Sequence, residues 1–314
     1  MRILLFGANG QVGHELRRSL AHLGDLVATT RSGALEDGAA CERADFDAPE
    51  TLPALIARVA PDIVVNAAAY TAVDKAESDR DAAFRANAEA PSRIAEACAA
   101  RGALLVHYST DYVFDGSGTR PYREDDATAP LGVYGESKRA GEEAIRVSGA
   151  RHMIFRTAWV FAAHGRNFLR TMLRLAAERD ELRVVADQRG TPTSAALIAE
   201  FTALALARGA RASGLWHLTA SGETTWHGFA EAIVEGAHAR GLIARRPAIV
   251  PIATHDYPTP ARRPAYSRLD TSSLGRDFDW MPPDWRNGMN DALDTLAGAP
   301  QHPIDTRKTS GGNT

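Results

Sequence analysis

The sequence predicts an α/β protein built on a doubly wound parallel sheet, followed by a smaller C-terminal domain. Three observations predict it. Short apolar runs alternate with longer helical patterns through the first half of the chain. Those runs are apolar on both faces, as strands covered by helices on both sides are. A glycine-rich turn joins the first run to the first helix. Right-handed crossovers between such strands place helices on both faces of one sheet.

Residues 2–6 read as the first strand and 11–23 as the first helix. Residues 26–30 make a second strand, 62–66 (DIVVN) a third and 104–108 (LLVHY) a fourth, the last preceded by an alanine-rich helix over 92–101. A helix over 137–147 leads to a fifth strand at 152–156. Beyond it the pattern changes: helices are expected at 167–178, 195–208 and 226–240, with short strands at 182–185, 216–218 and 248–252. Residues 1–155, completed by parts of 195–252, are assigned to the sheet domain and 156–300 mainly to the second domain. Residues 247–283, rich in Pro, Arg, Tyr and Asp, suit binding loops, and the polar stretch 301–314 is expected to be disordered.

The bulk composition narrows the partners. With 45% hydrophobic and 24% charged residues the chain is globular, and a formal net charge of −3 gives no long-range attraction to nucleic acid or anionic membrane. No basic stripe with interleaved aromatics is present, so no nucleic-acid partner is expected. The two cysteines, Cys41 and Cys98, form no disulfide framework and have no metal-ligand spacing. The opening residues read as a strand rather than a signal peptide, and nothing approaches the ~20 apolar residues of a membrane span, so the expected location is the cytoplasm.

Gly7-Ala8-Asn9-Gly10-Gln11-Val12-Gly13 lies between the first strand and the first helix. Glycines are needed there for a tight turn, for close approach of the backbone to a pyrophosphate, and for packing of helix on strand. The helix N-terminus adds free N–H groups and a favourable dipole. A strand–turn–helix of this kind at the start of a βαβ array points to a Rossmann-type dinucleotide site. Asp45 and Phe46 could meet the adenine, with a solvated loop acid as the competing reading for Asp45. Ala67, Ala68 and Ala69 follow a strand and are small enough to let a cofactor lie close. NAD-selective sites carry an acid at the end of the second strand. Here Arg31 stands beyond that strand and suits a 2′-phosphate, so NADPH is the expected cofactor, with NADH also open.

Tyr134 and Lys138 are four residues apart, which on a helix places phenol and ammonium on one face. A free tyrosine has a pKa of ~10, and a fixed positive charge lowers it toward use as a proton-transfer group. Upstream, Ser109 and Thr110 follow the fourth strand and point into the crevice outside the strand ends, where a hydroxyl can bond a substrate carbonyl.

In this order the motifs resemble the extended short-chain dehydrogenase/reductase superfamily. The stretches GANGQVG, NAAAYTAVDKAE, HYSTDYVFDG, APLGVYGESKRAGE and DQRGTPT are similar to its dTDP-4-dehydrorhamnose reductase family, from residue 1 to about residue 297. The resemblance implies a nicotinamide-dependent reduction of the C4 ketone of a dTDP-linked keto-sugar. It assigns Tyr134 as proton donor, Lys138 as its partner and ribose ligand, and Thr110 as the hydroxyl that tunes proton transfer. It places Gly10, Gln11 and Val12 on the cofactor diphosphate, Asp45 and Phe46 near adenine, and Ala67–Ala69 with Tyr108 at the nicotinamide end. Thr110, Asp111 and Trp159 then line the sugar pocket.

Some members of that family hold a divalent ion at a dimer contact through carboxylates. Glu15 fits one such position, but Ala196 stands where another acid is expected. The residues therefore do not support Mg2+, no metal ligands are assigned, and a homodimer made otherwise is left open. For Trp159 a core position competes with the sugar wall. Arg262 and Arg263 could pair with a diphosphate or be solvated, and residues 187–192 are a candidate sugar-contacting loop. The rival functions are a nucleotide-sugar epimerase or dehydratase of the same superfamily, and a non-catalytic regulatory subunit resembling the partner of methionine adenosyltransferase.

Overall fold

The computed structural model describes residues 1–209 and 213–298; the stretch 301–314, expected to be disordered, lies outside the described residues. Seven parallel strands form the central sheet: β1 (Arg2–Phe6), β2 (Asp25–Thr30), β3 (Glu42–Arg43), β4 (Ile63–Asn66), β5 (Leu104–Thr110), β6 (Arg151–Thr157) and β7 (Gly214–His217). Their order is β7-β6-β5-β4-β1-β2-β3, the doubly wound topology expected from the sequence. It reverses direction between β1 and β4, and ligands of open α/β sheets bind at that switch.

Alternation along each strand explains why both faces are apolar. Ile3 and Leu5 of β1 join Val106 of β5 and Phe155 of β6 in one core, while Leu4 and Phe6 join Leu105 and Ile154 in the other. The first core lies under α1 (Gln11–Leu20) and the helix Ala195–Ala207. The second lies under Leu52–Val59 and Ala90–Arg101.

Some elements differ from expectation for identifiable reasons. β3 is a two-residue polar strand with no periodicity to read, and Leu52–Val59 is too short, with a proline in its first turn, to announce itself. The first helix ends at Leu20, three residues early. β5 runs on to Thr110, because Ser109 and Thr110 continue the ladder opposite Arg156 and Thr157. The helix that carries Tyr134 and Lys138, α2 (Val133–Val147), begins four residues before the expected start. Gly132 and Gly135 weaken the local helical signal, but Glu77 accepts the Val133 N–H at 2.9 Å and caps the helix from outside. A one-turn π-helix over Arg85–Glu89 was also invisible in the pattern.

Beyond β6 the chain supplies further elements outside the central sheet. A parallel pair, Glu181–Val185 and Ala248–Ile252, packs against the helix Trp226–Ala239. The chain also returns to the central sheet, since β7 extends it beside β6 and Ala195–Ala207 packs on α1.

Candidate active site

A cleft of about 890 Å³ runs along the C-terminal ends of β1, β4, β5 and β6, toward the upper end of the range for small-molecule sites. Its floor at β1 is the glycine loop. Gly7 has φ +77, and a side chain there would press within 2.7 Å of Ala68 N. A Cβ on Gly13 would collide with the Gly7 carbonyl, so helix and loop can approach only because both are glycine. Gly10 caps α1 with no side-chain bond, which leaves the first-turn N–H groups of α1 facing the cleft. Gly7, Gly10, Gln11 and Val12 line the cleft; Gly13 stands behind them as a packing position.

The adenine-type end is less uniform. Phe46 lines the cleft, braced edge-on against Phe6 at 5.6 Å. Asp45 does not line it: its carboxylate accepts the Asp47 N–H at 3.1 Å and faces Arg31 and Arg43 at 3.6 and 3.8 Å. Arg31 is at the rim, 69% exposed, between Asp45 and Asp47. Asp47 was not singled out from the sequence; only the fold brings it opposite Arg31. Ala67, Ala68, Ala69 and Tyr108 line the middle of the cleft.

At the far end the chemistry converges. Thr110, Asp111, Tyr134, Lys138 and Trp159 all line the cleft, from β5, the turn after it, α2 and the end of β6. Thr110 Oγ1 accepts the Tyr112 N–H and donates to Asp111 Oδ1, each at 3.1 Å. Burial pushes the Asp111 carboxyl up to about 6, with Ser267 and Thr110 acting the other way. Asp111 Oδ2, Ser109 Oγ and Thr157 Oγ1 are buried without a partner and all three residues face the cleft. Buried oxygens of this kind are costly unless something completes them. Thr157 is a further candidate that the sequence reading missed.

Burial drives the Tyr134 phenol up to about 12, with Thr110 acting the other way. The lowering expected from the ammonium four residues on is absent in the ligand-free chain, because Lys138 Nζ is turned into the protein and donates to the Tyr108 carbonyl at 2.6 Å. Tyr134 is thus held as an O–H, the form a proton donor needs. Burial also brings the Lys138 ammonium down to about 8, with Glu142 opposing. Glu142 and Arg156 form a buried bidentate pair at 2.9 and 2.7 Å that locks α2 onto β6.

Trp159 combines the two readings open for it. It has φ +48, unusual for a bulky residue, and one face stacks on Trp226 at 3.6 Å and 5°, while the residue borders the cleft. Residues 187–192, weighed as a sugar loop, stand behind this wall instead. Gly190 lies where a Cβ would come within 2.6 Å of the Trp159 ring, and Gln188 accepts from Trp226 Nε1 at 3.2 Å. Arg263, weighed for a diphosphate, is committed to Asp74 at 2.7 Å. Glu15, weighed for a divalent ion, accepts from His164 at 2.9 Å and pairs with Arg18 at 3.1 Å. With His14 these side chains are the one group of metal-ligand type among the described residues.

The chain is similar to known proteins along nearly its whole length. The model of the RmlD substrate binding domain matches residues 1–297. A dTDP-4-dehydrorhamnose reductase of Burkholderia thailandensis is 52% identical over 297 residues, covering 91% of this chain and 96% of that protein. Among solved structures, a dTDP-4-dehydrorhamnose reductase of Clostridium acetobutylicum superposes with a TM-score of 0.85 at 33% identity, over 94% of this chain and 99% of that one. That of Bacillus anthracis, in complex with NADP, gives 0.83 at 32% identity, over 92% and 96%.

Proposed function

The chain belongs to the RmlD substrate binding domain family, and from that premise we propose that it reduces the C4 ketone of dTDP-4-dehydro-L-rhamnose to dTDP-L-rhamnose with NADPH, in nucleotide-sugar synthesis for cell-surface polysaccharide. The observation that carries this reading is the meeting, in one cleft, of a glycine cradle, three unpartnered buried oxygens and the Tyr134–Lys138 pair.

The residues present suit a nicotinamide dinucleotide: a loop that only glycine can form and free helix N–H groups for its diphosphate, then an apolar, small-residue floor at Ala67–Ala69. When bound, the cofactor supplies the hydride. Gly7, Gly10, Gln11 and Val12 bind the diphosphate, Gly13 lets the helix approach, and Phe46 flanks the adenine, with Asp45 acting through Arg31. Tyr108 contributes its backbone at the nicotinamide end. Tyr134 gives its phenolic proton to the ketone oxygen, and Lys138 stabilises the phenolate left behind while holding the ribose. Thr110 orients the carbonyl. Asp111 Oδ2 and Thr157 accept from sugar hydroxyls, and Trp159 walls the sugar from water. No described helix is long and apolar enough to cross a membrane; a cytoplasmic location belongs to the proposal, as a nucleotide-sugar substrate implies.

The direct test is NADPH oxidation by purified protein with dTDP-4-dehydro-L-rhamnose beside its GDP- and UDP-linked counterparts. Turnover favouring the dTDP sugar supports the reading. No oxidation with any ketone, or a tightly retained NAD in the purified protein, supports one of the rival functions.

Cofactor choice is tested at Arg31. Its pairs with Asp45 and Asp47 are long and exposed, so they are weak and a 2′-phosphate can displace them. Arg31→Ala should cost roughly ten- to hundredfold in kcat/KM for NADPH, the worth of a charge-assisted contact, and leave NADH unchanged. Equal efficiencies in the wild type, indifferent to the substitution, would remove Arg31 from cofactor selection.

Trp159→Ala should raise KM for the nucleotide-sugar several-fold more than KM for NADPH, because the exposed face of the ring is given to the sugar, and sugar–aromatic burial is worth about 1 kcal/mol or more. Equal effects on both, or loss of cooperative unfolding, would make the Trp159–Trp226 stack purely a packing feature.

A further inference from the structure

His107 is fully buried one residue before Tyr108 on β5 and takes no part in the mechanism above. Its ring touches two polar groups. Asn66 Nδ2 is 3.1 Å from Nδ1, and Lys138 Nζ is 3.4 Å from Nε2. The direction of this chain of contacts can be worked out from its far end. The Ala68 N–H donates to Asn66 Oδ1 at 3.1 Å, and a backbone N–H cannot act as an acceptor. That bond fixes the Asn66 amide with its NH2 toward His107. An amide NH2 only donates, so Nδ1 of the ring must offer its lone pair. The ring is neutral, since burial and the neighbouring Lys138 hold its pKa well below the usual histidine range. Its single proton is therefore on Nε2, aimed at Lys138.

We propose that His107 is a positioning residue for Lys138: locked as the Nε2–H tautomer by Asn66 and the Ala68 backbone, it presents a donor to Nζ and so makes the Lys138 ammonium release its proton more readily. An ammonium has three donors and no acceptor, whereas a neutral amine can accept the Nε2–H while still donating to the Tyr108 carbonyl. The depression of Lys138 caused by burial runs in the same direction. The titratable groups around Nζ are His107 and Tyr108 on β5, Tyr134 and Glu142 one turn to either side on α2, and Arg156 of β6, which Glu142 binds. Of these, Glu142 favours the charged lysine, and the Nε2–H of His107 faces Nζ with a donor where the ammonium offers only donors.

The inference rests on the proposed role of Lys138 at the cofactor ribose, so the test reads cofactor binding rather than turnover. NADPH affinity is followed by fluorescence titration from neutral to alkaline pH in the wild type, Lys138→Met and His107→Gln. Wild-type affinity should fall through an alkaline limb that Lys138→Met abolishes. If that variant keeps the limb, the ribose role of Lys138 has failed and the binding data carry nothing about His107; the ring measurement then decides alone. With the limb assigned to Lys138, His107→Gln should move it up by about one pH unit, since a side-chain carbonyl can then accept from the ammonium. A coincident or lower limb overturns the proposal. The second measurement needs neither variant to fold nor any ligand: nitrogen-15 correlation spectra of the histidine rings in the wild-type protein should show His107 protonated at Nε2 at neutral pH. Protonation at Nδ1 overturns the proposal outright.

Discussion

Tyr134→Phe lowers kcat for ketone reduction by about 10²–10⁴-fold, the usual worth of a positioned acid, with NADPH affinity and thermal stability near wild type. The substitution removes one oxygen from a ring that keeps its edge-on contact with Tyr112 at 5.7 Å, so packing survives. The phenol meets the Thr110 hydroxyl, which the Tyr112 N–H and Asp111 hold independently; the effect should therefore be confined to the transition state, and kcat should fall far more than KM rises. Because burial pushes the phenol up to about 12, Tyr134 keeps its proton through the neutral range. Steady-state kinetics decide the matter, and a variant retaining more than about half the wild-type rate removes Tyr134 from the mechanism.

Lys138→Met produces the other large effect, and it separates function from stability. Loss of the ammonium should weaken NADPH binding roughly ten- to hundredfold, the worth of a hydrogen bond to a charged group, and lower kcat as well. Stability should move the opposite way. The lysine titrates at about 8 in the fold against 10.5 when unperturbed, so below pH 8 both states carry the proton and the folded state bears the full cost of a buried charge, about 3 kcal/mol. Between about pH 8 and 10.5 the folded lysine is neutral while the unfolded one is still charged, and stability rises with pH. The variant should therefore melt at a higher temperature than the ligand-free wild type at pH 7, with the gain shrinking toward pH 10. A variant that is less stable at pH 7, or a gain that does not depend on pH, would show that the Lys138 ammonium is well compensated where it lies. A group that the proposed function needs, kept at a cost in stability, is a familiar trade.

The sheet was legible because its strands are buried on both faces, and that demand is local: Ile3 to Phe6 must all be apolar wherever the other strands go. The glycine loop was legible for the same reason, since Gly7 and Gly13 answer to steric limits within a single turn. Tyr134 and Lys138 were readable through helical spacing, although the helix start was placed at 137 because Gly132 and Gly135 dilute the local pattern. These are features in which sequence neighbours are also neighbours in space.

What only the tertiary structure decided are the relations between residues far apart in the chain. Asp47 answers Arg31 across a loop, and Asp74 takes Arg263 from a distant segment. Gly190 and Trp226 brace Trp159 from two other elements. Thr157 is ordinary in sequence and becomes a candidate ligand group only because its hydroxyl is left unpartnered at a cleft. The direction in which Tyr134 and Lys138 titrate was likewise set by the fold: spacing places the two groups on one face, but desolvation depends on everything packed around them, and here burial is the largest cause for both. Local sterics and periodicity are written residue by residue, whereas burial and partner choice are properties of the assembled chain.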